Sequence, residues 1–66
     1  MTFLEYLHQY RVSQAKKLLK QDVSIAEVAE LSGFESLSYF NRVFKKIVGE
    51  NPSTYRSKFT YLELSK

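Results

Sequence analysis

Glycine and proline occur only three times in this 66-residue chain, at Gly33, Gly49 and Pro52. From Met1 to Ser32 there is therefore no residue that readily takes the backbone out of a helix. A sandwich of short strands needs a turn signal every ~8–12 residues, and this chain has no such series. The composition is 44% apolar, which also argues against disorder. The expected fold is all-α: a small helical domain with a long N-terminal helix, then two short helices joined by a tight turn, then a short C-terminal helix.

Start signals support that division. Thr2-Phe-Leu-Glu5 has the form of a capping box, in which the Thr2 hydroxyl accepts from the third helical amide and Glu5 reaches back. The helix it opens runs to about Lys20, roughly 27 Å long at 1.5 Å per residue. At 100° per residue, Leu4, Leu7, Ala15, Leu18 and Leu19 fall on one face, with Arg11 in its middle. Phe3, Tyr6 and Tyr10 form a second apolar strip on another side, and a helix with two apolar faces packs between two partners. Only one partner is visible downstream. Ser24-Ile-Ala-Glu27 is a second capping box. Its helix reaches Leu31 or Ser32 with Ile25, Val28 and Ala29 inward, and Gly33 ends it in a left-handed cap. Phe34 is expected in the core. Ser36 caps a third helix that runs to about Val48, with Phe40, Val43, Phe44 and Ile47 as its apolar stripe and Gly49 as its stop. Asn51 followed by Pro52 opens a helix to about Lys58, with Tyr55 and Phe59 leaning on the core. No element is assigned to residues 60–66.

A chain this short is marginal without a staple. The sequence has no cysteine, which removes any disulfide and any thiolate zinc site and fits a reducing, intracellular compartment. His8 is the sole imidazole, so neither a structural metal nor a cofactor is expected. There is no apolar run of about 18 residues to span a membrane. The start Met-Thr-Phe-Leu-Glu reads against a signal peptide. No Gly-rich phosphate loop, nucleophile motif or carboxylate pair is present, so a non-enzyme is expected.

Charge is informative by position. Residues 1–34 carry four basic and four acidic groups, whereas residues 35–48 carry three basic and one acidic. The excess lies on the third helix, opposite its apolar stripe, where Ser38, Asn41, Arg42 and Lys45 are flanked by Tyr39 and Lys46. Basic clustering of this kind marks a nucleic-acid face. The major groove of B-DNA, about 12 Å wide, admits one α-helix; Arg suits guanine and Asn suits adenine, while Lys and Ser suit phosphates. A polar outer face is also what an ordinary surface helix carries. Ala29 and Gly33, four apart, place a small residue where two helices touch and a glycine where the chain reverses, as a helix-turn-helix requires.

A longer pattern adds to this. Arg11, Ala15, Leu18-Leu19, Ile25, Glu27-Val28-Ala29, Gly33-Phe34, Ser38-Tyr39-Phe40, Arg42, Phe44-Lys45-Lys46, Gly49, Pro52 and Tyr55-Arg56 stand at spacings that resemble the AraC/XylS family of bacterial transcription regulators, over about residues 3–58. The resemblance implies a cytoplasmic, DNA-binding protein. Its partner would be double-stranded DNA and, through a parent protein, RNA polymerase. The family's DNA-binding domain has two helix-turn-helix units on one joining helix. What matches here is the joining helix (1–20) and the second unit with its closing helix (21–58), followed by a tail (59–66). The Phe3, Tyr6, Tyr10 strip is then the side that would face a first unit, and it is expected to be exposed or to pair with another copy of the chain.

By the same resemblance, the base-facing positions are Ser36, Leu37, Ser38, Asn41, Arg42 and Lys45. Leu37 would touch a thymine methyl or sit at the edge of the core. Ser24, Tyr39, Lys46 and Arg56 are assigned to phosphates, helped by the amides at the starts of the Ser24 and Ser36 helices. Arg11, Glu27, Ala29, Gly33, Phe34, Phe40 and Phe44 are assigned to structure, with Arg11 expected to pair with Glu27 or Glu30 because an unpaired buried charge is costly. The alternative function is a helical protein–protein interaction or dimerisation module that uses Phe3, Tyr6 and Tyr10.

Overall fold

The computed structural model describes the backbone of residues 1–64 and the side chains through Phe59. Its four helices are α1 (Phe3–Leu19), α2 (Ile25–Leu31), α3 (Leu37–Val48) and α4 (Pro52–Leu64), and no strand occurs among the described residues. The expected all-α class is the observed one.

The caps are where the sequence places them. The Glu5 amide donates to Thr2 Oγ1, the Glu27 amide to Ser24 Oγ and the Tyr39 amide to Ser36 Oγ, each at 3.1 Å. The Thr54 amide donates to Asn51 Oδ1 at 3.0 Å. Each such cap stabilises its helix by about 1 kcal/mol. The first box is not closed in the usual reciprocal way: the Thr2 hydroxyl donates to the Glu5 carboxylate at 3.1 Å. α2 ends in a Schellman motif. The Gly33 amide donates to the Glu30 carbonyl at 3.1 Å and the Phe34 amide to the Ala29 carbonyl at 2.9 Å, with Gly33 at φ +94°. That geometry turns the chain sharply and drops Phe34 into the core, where it is 6% exposed.

Nine residues make the core: Val12, Ala15 and Leu19 from α1, Val28 and Ala29 from α2, Phe34 from the turn, and Phe40, Val43 and Phe44 from α3. The buried stripe of α1 is rotated from the one its leucines suggest. Val12 is buried, whereas Leu4 is exposed and Leu7 and Leu18 are only half-buried. The reason is volume: a cluster that already holds three phenylalanines takes the helix face with the smaller side chains, Val12 and Ala15. Ile47 also differs from expectation. It lies at the rim of α3, 39% exposed, while Phe40 and Phe44 are fully buried. Rings in successive contact cross the molecule, with centroids 5.1 Å apart for Phe34–Phe40, 5.6 Å for Phe40–Phe44, 5.5 Å for Phe44–Tyr55 and 4.9 Å for Tyr55–Phe59.

The last helix is longer than expected and continues past Lys58 to Leu64, so much of the segment assigned to a tail is helical. Arg56 fastens this helix to the first. Its Nε donates to the Leu19 carbonyl at 2.9 Å and its Nη2 to the Gln21 carbonyl at 3.3 Å. Carbonyls at a helix C-terminus have no partner within the helix, and a guanidinium is well suited to them. Lys20 Nζ lies 4.9 Å from the Phe59 ring centroid, a second tie between the same two helices.

Candidate nucleic-acid interface

α3 is held by its inner side. Phe40 and Phe44, one turn apart, are buried completely, and Val43 is buried beside them. At 100° per residue this directs Ser38, Arg42 and Lys45 away from the core. Asn41, half-buried, and Leu37, exposed, flank that line on one side. Tyr39 and Lys46, both exposed, flank it on the side nearer α1. α3 contains no acidic residue, and Glu35 stands exposed just before its cap. The side chains of Ser38, Asn41, Arg42 and Lys45 make no hydrogen bond or ion pair with the described residues. Two cations, an amide and a hydroxyl thus face outward with their donors unspent.

Tyr39 is tied down. Its hydroxyl lies 2.9 Å from His8 Nε2 on α1, and the two rings meet edge-on at 5.6 Å. Tyr39, Arg42, Val43, Lys46 and Ile47 of α3 and Glu5, His8 and Gln9 of α1 line an open hollow of about 430 Å³ between the helices. The pairing joins residues 31 apart in sequence. Nothing local in the chain announces it, and His8 is placed there by the packing of α1 on α3.

Three of the expected site residues have structural tasks. Ser24 and Ser36 spend a hydroxyl lone pair on capping, although both remain exposed. Arg56 is engaged at the end of α1. The expected pairing of Arg11 with Glu27 or Glu30 is not made: among the described residues Arg11 has no ion pair, and both acids are exposed. Arg11 is half-buried instead, laid against the turn at Gly33. Its Nε, Cδ and Cζ lie over the glycine, so the inner end of the guanidinium packs on the turn while the residue as a whole stays partly exposed. Ala29, Phe34, Phe40 and Phe44 are buried, and Gly33 takes a φ of +94°. Phe3, Tyr6 and Tyr10 are 80%, 61% and 55% exposed. Among the described residues, no group of His, Cys, Asp and Glu could hold a metal ion, and no helix is long and apolar enough to cross a membrane.

A capped helix, a glycine-centred turn and a second helix that is apolar inside and cationic outside define a helix-turn-helix protein. Comparison with known families agrees, since the family described as "Helix-turn-helix domain" matches residues 1–58. The chain belongs to that family, in its AraC/XylS type. It is 42% identical to the HTH-type transcriptional activator RhaR of Pectobacterium atrosepticum over 64 residues, which are 96% of this chain and 22% of that protein. It is 41% identical to the xylose operon regulatory protein of Haemophilus influenzae over 56 residues, 83% of this chain and 14% of that protein. It is 42% identical to the transcriptional regulatory protein YesN of Bacillus subtilis over 59 residues, 85% of this chain and 16% of that protein. The chain therefore spans less than a quarter of the length of these relatives. No solved structure matches it.

Proposed function

We propose that α3 is the reading element of this chain and enters the major groove of duplex DNA. Arg42 and Asn41 are the best suited to guanine and adenine edges. Ser36, Ser38 and Lys45 extend that face, and Leu37, exposed and outside the core cluster, offers a surface for a thymine methyl. Lys46, Tyr39 and the Ser24 helix start are assigned to phosphates. Residues 1–20 act as the joining helix and 21–58 as the reading unit. Contact with RNA polymerase, through a longer parent protein, belongs to the same proposal.

The observation that supports this most is the outer face of α3: free of acids, free of internal bonds, and borne on a helix anchored by two fully buried phenylalanines. A reader must present donors without first breaking bonds to itself. The test is an anisotropy titration with labelled duplex DNA at two salt concentrations, with wild type and Arg42→Ala. Binding that weakens with salt as a few counterions are displaced, and weakens further in a folded Arg42→Ala chain, is the expected result. Low-salt binding that is absent or indifferent to Arg42 would overturn it.

The exposed strip of Phe3, Tyr6 and Tyr10 supports a second reading, self-association or docking of another helix. Sedimentation distinguishes it: a tight dimer abolished by Tyr6→Lys would put the strip to use, and a monomer that binds DNA would leave it idle.

A further inference from the structure

The hydrogen bond between His8 and Tyr39 can run in either direction, and the direction decides what Tyr39 can offer a ligand. When neutral His8 accepts at Nε2, the Tyr39 hydroxyl proton points at the imidazole and only oxygen lone pairs face outward. When His8 Nε2 carries a proton, as it does in one neutral tautomer and always in the imidazolium, it donates to the phenolic oxygen and the Tyr39 proton is released to turn toward solvent; charging the ring makes that direction obligatory. The contact is 2.9 Å in length and lies beside the hollow that also receives Arg42 and Lys46. We propose that His8 and Tyr39 form a proton-linked phosphate seat in the cleft between α1 and α3. In that seat the His8 imidazolium donates to Tyr39, and Tyr39 donates to a backbone phosphate oxygen of bound DNA. The inference rests on the DNA-reading assignment of α3 and adds the joining helix to the contact surface.

The surrounding charges suit such a seat. Glu5 and Arg11 on α1, Glu35 in the turn, and Arg42 and Lys46 on α3 line the two hollows that flank the His8 ring. In the hollow that Tyr39 shares with Arg42 and Lys46, two cations stand against the one carboxylate of Glu5, and Gln9 at the same rim adds a neutral donor; Arg11 and Glu35, in the second hollow, balance each other. An arriving phosphate favours the charged imidazole, so DNA binding takes up a proton at His8. The sign follows from this: affinity is greatest where the free chain already holds that proton and falls as pH rises until the bound form loses it. His8 is the one imidazole of this chain, so substitution at that single position isolates the ring's part in any pH dependence.

The experiment is the same anisotropy titration at constant ionic strength between about pH 5.5 and 7.5, with wild type, His8→Gln and Tyr39→Phe, each shown to be folded by circular dichroism. Wild-type affinity should rise about threefold to tenfold on acidification, the size of up to one unit of proton linkage. His8→Gln should flatten that dependence. Tyr39→Phe keeps the ring and the charge of His8 but removes the hydroxyl, and it should flatten most of the dependence too. A ring-proton NMR titration of His8 should move to higher pH when DNA is bound. If wild-type affinity is flat with pH, the seat is not proton-linked and the proposal is overturned. If Tyr39→Phe keeps the full dependence, His8 acts by charge alone and the relay is overturned. If no salt-dependent binding occurs at any pH, the reading of α3 falls and the seat with it, a result distinct from the other two.

Discussion

Arg11 lies across Gly33 so closely that its Nε stands 3.1 Å from where a Cβ on that glycine would be, with Cδ at 3.6 Å and Cζ at 3.7 Å. The side chain in the middle of the α1 apolar face is thus accommodated by the absence of another side chain, on the turn between α2 and α3. Gly33 meets two requirements at once: a left-handed φ of +94° and an empty space above it.

Gly49 has nearly the same φ, +96°, but nothing within 4 Å of its missing Cβ. The two glycines therefore separate backbone strain from crowding. Gly49→Ala should lose only the left-handed cost, about 1–2 kcal/mol. Gly33→Ala should lose that and a further increment of about 1 kcal/mol from displacing Arg11. Thermal melts followed by circular dichroism should rank them so, and the difference should shrink in an Arg11→Ala background. Equal melts for the two alanine variants would mean that Arg11 moves aside at no cost.

Arg11→Ala on its own should lower the melting temperature and leave the DNA affinity of the folded chain nearly unchanged. No acid is left unpaired by the change, because none is paired with Arg11. What is lost is the packing of its Cδ and guanidinium over the turn, on the order of 1 kcal/mol. A chain that melts normally but binds DNA poorly would place Arg11 at the interface instead.

Arg56→Met should release the α1 carbonyls of Leu19 and Gln21. Hydrogen bonds from a charged donor contribute roughly 1.5–3 kcal/mol when well sheltered. The Gln21 contact is long and exposed, so about 1–2 kcal/mol in a urea titration is expected for the pair. The informative comparison is with DNA affinity measured well below the melting point. Unchanged stability with weakened, less salt-sensitive binding would return Arg56 to the phosphate contacts that the family resemblance implies.

Ser36 combines a cap with a place on the proposed reading face, and two substitutions divide these. Ser36→Ala removes the acceptor for the Tyr39 amide and should cost about 1 kcal/mol of stability. Ser36→Asp keeps an acceptor there and suits the helix dipole, so stability should hold or rise. Its carboxylate would face DNA phosphates, however, and anisotropy should show weaker binding. Tight binding by a stable Ser36→Asp chain would exclude that helix start from the interface.

The local features of this fold could be read in the chain, and the non-local ones could not. Thr2, Ser24, Ser36 and Asn51 cap the four helices as their spacing indicates, and Gly33 and Gly49 stop two of them. Each of these interactions spans four residues or fewer, so the sequence contains both partners side by side. The burial of Phe40, Val43 and Phe44 also follows from period alone. The face of α1 does not. Leu19 and Ala15 are in the core as the period indicates, but Val12 replaces Leu4, Leu7 and Leu18 beside them, because the side that faces α2 and α3 is settled by packing between helices and not within α1. Arg11 over Gly33, Arg56 at the end of α1 and His8 on Tyr39 join residues 22 or more positions apart. Charge rules propose an acid for each cation, whereas the chain answers with a turn and two carbonyls. As for the candidate site, the family pattern supplied the positions on α3. Only the packed structure shows that Ser38, Asn41, Arg42 and Lys45 make no hydrogen bond or ion pair with the described residues, and that α1 brings His8 to Tyr39 at the flank of that face.

That lack of encumbrance has a consequence for how such a domain diversifies. The residues that hold α3 in place and those that face outward from it share one helix, but among the described residues no side-chain hydrogen bond or ion pair joins them. Ser38, Arg42 and Lys45 can be exchanged without disturbing Phe40 or Phe44, so the scaffold is indifferent to the message written on its outer surface. A library randomised at those three positions should remain almost entirely folded while its preferred DNA sequences scatter. In this chain, learning a new address and keeping a shape are separable problems.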